Sequence, residues 1–259
     1  MGGGFGGGRG LPVGLLAMVG SRYGIGAAVL AALAFLAFQF VGGGLGGGTS
    51  TAVDPSAQRS VAAEEKVQFI SFVLDDVQNT WEKHVSGYER AKLVLFDGST
   101  NTGCGYGDRA TGPFYCPRDQ NVYIDLSFFR TLESKLGAGG DFAQAYVIAH
   151  EIGHHVQHQV GALRGGGSVA TELQADCYAG VWAHSTNQRQ LLETGDLQEA
   201  FTATQAIGDD RLQKMQTGTV RPETFTHGSS AQREAAFKKG LESGDPQACS
   251  RMETALRER

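Results

Sequence analysis

The sequence predicts an α+β fold, mainly helical, with a small antiparallel β-hairpin or sheet and one membrane-spanning helix ahead of it. Three observations carry that expectation. Apolar residues (Phe142, Tyr146, Ala149, Gly153, Val156, Val160) recur at three- and four-residue steps, the face of a helix over 141–160. Two β-rich runs, 92–96 and 121–125, stand apart with turn-prone Gly, Asn and Asp stretches between them. Residues 24–41 are almost wholly apolar, about 18 residues or roughly 27 Å of helix, close to the thickness of a bilayer core.

Taken in order, residues 1–23 are Gly-rich, with Arg9 and Arg22 their only charges. They are expected to be a flexible tail, and no G-x-x-x-x-G-K-[ST] occurs there to cradle a phosphate. The 24–41 run competes with a cleaved signal peptide. Ser50-Thr51-Ala52 has the form of a small-x-small site but lies too far downstream, so an uncleaved anchor is the better reading. Arginines on the N-side alone place the N-terminus in the cytoplasm and the rest of the chain outside that membrane. Residues 42–60 then form a Gly/Ser/Thr tether, and the folded domain is expected over 61–259.

Within that domain, Val67, Ile70, Leu74, Val77 and Trp81 make one stripe of a long helix over 61–87. A short helix is expected over 127–136, stopped by the glycines of 137–140 before the helix at 141–160. Further helices are expected over 170–185, 196–215 and 230–243. The chain has 259 residues, 41% of them hydrophobic, ample for one core, and a net charge of −5 gives no footprint for nucleic acid.

Chemistry concentrates in His150-Glu151-Ile152-Gly153-His154. Four of the seven histidines fall within nine residues here. At about 100° per residue, His150 and His154 lie side by side one turn apart, so two imidazoles meet at one point. That is the H-E-x-x-H arrangement, in which the imidazoles bind zinc and the intervening Glu151 serves as general base. His155 projects away from that face and His158 sits at its edge, so both are expected to face solvent. A catalytic zinc needs a third protein ligand, and Glu172 and Asp176, at i and i+4 on the following helix, offer one. The four cysteines, Cys104, Cys116, Cys177 and Cys249, lack metal-ligand spacing. Disulfides suit an exported domain: Cys104 with Cys116 would close a short Gly-rich loop, leaving Cys177 with Cys249. Four cysteines allow three pairings, and spacing does not choose among them.

With these segments in place, the chain resembles the bacterial neutral zinc metallopeptidase family. The matching stretches are Gly112-Pro-Phe-Tyr-Cys116-Pro, Val122-Tyr-Ile-Asp125, Ala145-Tyr-Val-Ile-Ala-His150-Glu151-Ile-Gly-His154-His155, Glu172-Leu-Gln-Ala-Asp176-Cys177 and Thr226-His227-Gly-Ser-Ser-Ala-Gln-Arg233. More distantly the layout is similar to the membrane-associated gluzincins. That resemblance implies a minimal zincin-like domain in which Glu172 is the third ligand and Asp176 accepts the spare ring N–H of a ligating histidine. Those peptidases carry Thr-His-Pro followed by Arg, where this chain has Thr226-His227-Gly228 and Arg233.

The chain is therefore expected to be a membrane-anchored zinc endopeptidase, holding one Zn²⁺ per chain and hydrolysing a peptide or protein substrate. His227 is the expected oxyanion donor. Arg233 either anchors a substrate carbonyl or pairs with a nearby carboxylate. Gly112–Cys116 offers a strand edge to an extended peptide. The rival is a zinc-stabilised scaffold of the cell envelope with little turnover, which would need the ligands but not Glu151.

Overall fold

In the computed structural model, residues 55–163 and 168–250 are described, with side chains from Ala63 onward. The expected span at 24–41 lies outside them; among the described residues no helix is long and apolar enough to cross a membrane. The chain divides into two units. One comprises Met1–Val67 with Arg189–Glu193, whose described part is the start of helix α1 (Pro55–Trp81) and a short turn. The other, Gln68–Gln188 with Thr194–Arg259, contains the strands and the remaining helices.

From Gln68 on, α1 buries Ile70, Val73, Val77 and Trp81 on one stripe. It stops six residues short of the expected end. Gln78 Oε1 accepts the Ala91 N–H at 2.7 Å and the Tyr88 hydroxyl at 3.3 Å, so the chain doubles back along the helix that periodicity would have continued. Five strands follow: β1 (Lys92–Phe96), β2 (Ser99–Thr102), β3 (Gly105–Asp108), β4 (Phe114–Cys116) and β5 (Asn121–Asp125). The sheet order is β1-β5-β4, with β2 and β3 forming a separate antiparallel hairpin. An antiparallel pairing holds for β4 with β5, but β1 joins β5 in parallel, Leu93 opposite Val122. The sheet is therefore mixed: after the β2–β3 hairpin β4 runs opposite to β1, and the turn at 117–120 reverses the chain again into β5. Strand β4 pairs with β5 alone and forms one edge.

Helix α2 (Leu126–Ser134) starts on Asp125, whose side chain accepts the Ser127 N–H. Helix α3 (Asp141–Gln159) is the centre of the domain, buried on nearly every side except at its end, where Val160 is exposed. Helix α4 (Val169–Gln188) crosses it at Gly153, where a Cβ would lie 3.0 Å from the Ala175 carbonyl oxygen, so the glycine lets the two backbones approach closely. Phe142 of α3 stacks on Trp182 of α4 with centroids 5.3 Å apart.

The expected helix over 196–215 is two: α5 (Asp196–Ala206) and α6 (Asp209–Thr217). The break is at Gly208, extended at φ −70° and ψ 142°, where the Ser230 backbone packs into the space a Cβ would occupy. Helix α7 (Ser230–Ser243) opens with a capping box between Ser229 and Gln232. It lies along α4, and the short α8 (Pro246–Cys249) follows it. Disulfides join Cys104 to Cys116 and Cys177 to Cys249. The second fastens α8 to α4 one residue after Asp176.

Candidate metal centre

Helix spacing sets His150 and His154 one turn apart on α3, and their rings are 4.8 Å apart, centroid to centroid. The first turn of α4 brings Glu172 to them: its Oε2 lies 3.2 Å from His150 Nε2 and 3.5 Å from His154 Nε2. One ligand atom from each of the three residues can be chosen so that all lie within 4.8 Å of one another. Asp176, on the same face of α4 one turn on, does not join them. It accepts from His150 Nδ1 at 2.8 Å instead.

The orientation of each ring is set by its outer partner. His154 Nδ1 lies 2.8 Å from Gln157 Oε1. The Gln157 amide nitrogen is spent on the Thr171 carbonyl at 2.7 Å and on Gln174 Oε1 at 2.9 Å, so its oxygen must face the histidine. An amide oxygen only accepts, so Nδ1 carries a proton, and in the neutral ring Nε2 presents the lone pair. The same holds at His150, whose Nδ1 faces the Asp176 carboxylate. The two Nε2 atoms and a carboxylate oxygen therefore converge on one point.

That point favours positive charge, a proton or a metal ion, and the electrostatics agree. Burial alone would push the His150 imidazole down, but Asp176 and Glu172 overcome it and lift it to about 10. Glu172 resists burial in the opposite sense, held far below the carboxylate range by hydrogen bonds to His150 and His154. A site that draws a proton so strongly is a site for positive charge, and two imidazoles with one carboxylate suit Zn²⁺ with a coordination position left open. The residues fit the metal.

Asp176 is fully buried and does more than orient His150. Arg233, 2% exposed, donates to it through Nε at 2.8 Å and Nη2 at 2.9 Å. The Tyr146 hydroxyl donates to Asp176 as well, and Arg233 Nη1 reaches the Ile207 carbonyl at 3.3 Å. Burial raises the Asp176 carboxyl, and Arg233 and His150 more than reverse that, holding it down to about 2. Of the two readings of Arg233, pairing with a carboxylate is the one the geometry satisfies.

Glu151 lies between the ligands in sequence and is 6% exposed. Its Oε2 has no hydrogen-bond partner among the described residues. Burial pushes its carboxyl up, against the pull of His150 and His154. His227 stands on the same cavity, about half exposed, with Nδ1 3.2 Å from Asp209 Oδ1. Asp209 Oδ2 also accepts the backbone N–H groups of Thr226 at 2.7 Å, His227 at 2.6 Å and Gly228 at 3.0 Å. That clamp fixes the loop. It was invisible in a sequence read as one continuous helix through Asp209.

His155 and His158 depart from expectation. His155 is fully buried, its Nε2 2.6 Å from the Glu89 carbonyl and its Nδ1 3.1 Å from the Tyr115 hydroxyl. His158 is partly buried on the cavity wall, with Nδ1 2.8 Å from the same hydroxyl. Helical periodicity cannot foresee this, because the covering groups come from β4 and from the turn before β1.

The cavity holds about 740 Å³. Gly112 to Tyr115 forms part of one wall, Ile207, Leu212 and His227 part of another, with the metal set and Glu151 among the lining residues. A zinc-type ligand set, a buried carboxylate oxygen without a partner among the described residues and a cavity beside them together define the class: an H-E-x-x-H metal centre on paired helices. The chain belongs to the family described as "Putative neutral zinc metallopeptidase", whose model matches residues 1–252. It is 52% identical over 205 residues to the protein described as "Uncharacterized protein YpfJ" of Escherichia coli (strain K12), covering 72% of this chain and 71% of that protein. It is also 43% identical over 201 residues to "Uncharacterized protein Rv2575" of Mycobacterium tuberculosis (strain ATCC 25618 / H37Rv), 70% of this chain and 69% of that one. No solved structure matches it.

Proposed function

We propose that this protein is a zinc-dependent endopeptidase, tethered to the cytoplasmic membrane by residues 24–41, with its domain on the outer side. His150, His154 and Glu172 hold one zinc ion, which when bound polarises a carbonyl and acidifies water. Asp176 and Gln157 keep the proton off the two ligating nitrogens. Glu151 takes the proton of the attacking water and hands it to the leaving amine. His227, steadied by Asp209, donates to the oxygen of the tetrahedral species. An extended peptide lies against the edge strand β4, its main chain along Gly112–Cys116.

The observation that carries this reading is the Glu151 carboxylate, buried beside the ligands with one oxygen unanswered. A zinc-stabilised scaffold has no use for a desolvated base and would be more stable without it. Glu151→Gln keeps size and reach but removes the base. Digests of a broad peptide library should slow by about 10²–10⁴-fold with zinc content unchanged. Indistinguishable digests from the two proteins, both loaded with zinc, would leave the scaffold as the better account.

A further inference from the structure

The metal set leaves one polar group on the cavity wall unexplained. Tyr115, at the middle of β4, places its hydroxyl between His155 Nδ1 at 3.1 Å and His158 Nδ1 at 2.8 Å. The hydroxyl has one proton for two ring nitrogens, so one imidazole accepts from it and the other donates to it. Both rings are thereby held. His155 uses its second nitrogen on the buried side, against Glu89. His158 does not: its Nδ1 is engaged by Tyr115, its Nε2 has no partner among the described residues, and the side chain lines the cavity. It sits one helical turn beyond the ligand His154, beside the wall formed by Gly112 to Tyr115.

We infer that His158 is a substrate-contacting residue, its Nε2 hydrogen-bonding the main chain of a peptide bound along β4, with Tyr115 as the residue that positions it. The inference rests on the peptidase reading for the nature of the ligand. The Glu89 carbonyl only accepts, so His155 carries its proton on Nε2 and its Nδ1 takes the Tyr115 proton. His158 then donates from Nδ1 to the Tyr115 oxygen, and its neutral ring offers Nε2 as an acceptor for a main-chain N–H. The contact therefore serves binding without selecting a substrate side chain, as suits a residue beside a strand edge.

The test separates the peptide contact from the metal contact. The probes are a tripeptide hydroxamate, which adds a main chain to a zinc-seeking head, and acetohydroxamate, which has the head alone. Their dissociation constants are measured by calorimetry on the zinc-loaded full chain. His158→Asn keeps a polar atom where Nδ1 meets Tyr115 but has none at Nε2, whereas His158→Gln places one near Nε2. The tripeptide advantage over acetohydroxamate should fall by about 3- to 10-fold in His158→Asn, the loss of one neutral hydrogen bond, and recover in His158→Gln. Acetohydroxamate affinity should not change in either. A purely structural histidine would be served better by Asn than by Gln, and that reversed order overturns the inference. So does an undiminished advantage in His158→Asn, or a wild type that binds both probes equally. Should wild type turn over no peptide while His158→Asn still loses the tripeptide advantage, the peptidase reading falls and the contact stands.

Discussion

Asp176→Asn tests how the metal centre is built. Asp176 is fully buried and answers Arg233 twice, Tyr146 once and His150 Nδ1 once. The amide removes the negative charge and leaves the Arg233 guanidinium, itself 2% exposed, without its counter-ion. Breaking one partner of a buried ion pair costs about 3–5 kcal/mol. For a domain of this size each kcal/mol moves the melting point by about 2–4 °C, so chelator-treated Asp176→Asn should melt about 6–20 °C below wild type. The second consequence is separate. An amide nitrogen turned toward His150 Nδ1 would favour the tautomer with its proton on Nε2, where the metal must bind. Zinc affinity, measured by competition with a chromogenic chelator, should fall about 10- to 100-fold. Adding Arg233→Met removes the orphaned charge and should restore much of the melting point without restoring zinc affinity. Asp176→Asn melting within a degree or two of wild type, with unchanged zinc affinity, would refute the reasoning.

Other outcomes rest on the same geometry. Elemental analysis should find about one zinc per chain, lost in His150→Ala and mostly lost in Glu172→Ala; full zinc in the latter would move the third ligand elsewhere. Gln157→Ala should weaken zinc binding by about 10-fold or more in chelator competition, since His154 then loses the partner that sets its tautomer; unchanged affinity would show that Gln157 does not set it. Burial raises the Asp125 carboxyl, but hydrogen bonds from Ser127 and Gly98 bring it below its ordinary value. A carboxyl lowered on folding stabilises above its unfolded pKa of about 3.9, and that stability is lost as pH falls through the folded value. The melting-point gap between wild type and Asp125→Ala should therefore be full at neutral pH and narrow below pH ~4; a constant gap would place the contribution in packing. Reporter fusions at residue 60 should be active only outside the cytoplasm, with Cys104 oxidised; cytoplasmic activity would overturn that topology.

What the sequence determined by itself was local. His150 and His154 meet because residues four apart on any α-helix meet, and no neighbour is needed to arrange it. Strands β1 and β5 and helix α7 are found at the residues their composition marks, as are the helix bearing the ligands and the helix bearing Glu172. The choice between Glu172 and Asp176 as third ligand was not local, since both occupy one face of α4. It was decided by how α4 crosses α3 at Gly153, which brings the first turn to the Nε2 atoms and leaves Asp176 on Nδ1. Periodicity turned His155 and His158 toward solvent, and the fold covered them with Tyr115 from a strand some forty residues earlier. It extended one helix through Gly208, where the fold has a break against Ser230, and Asp209 just beyond it clamps the His227 loop. Tyr115 and Asp209 carry no signature because each acts on residues distant in sequence, and Gln157, one turn from His154, is oriented by Thr171 and Gln174 of α4. Helical and strand periods report the face a residue occupies, and only tertiary packing supplies what that face meets.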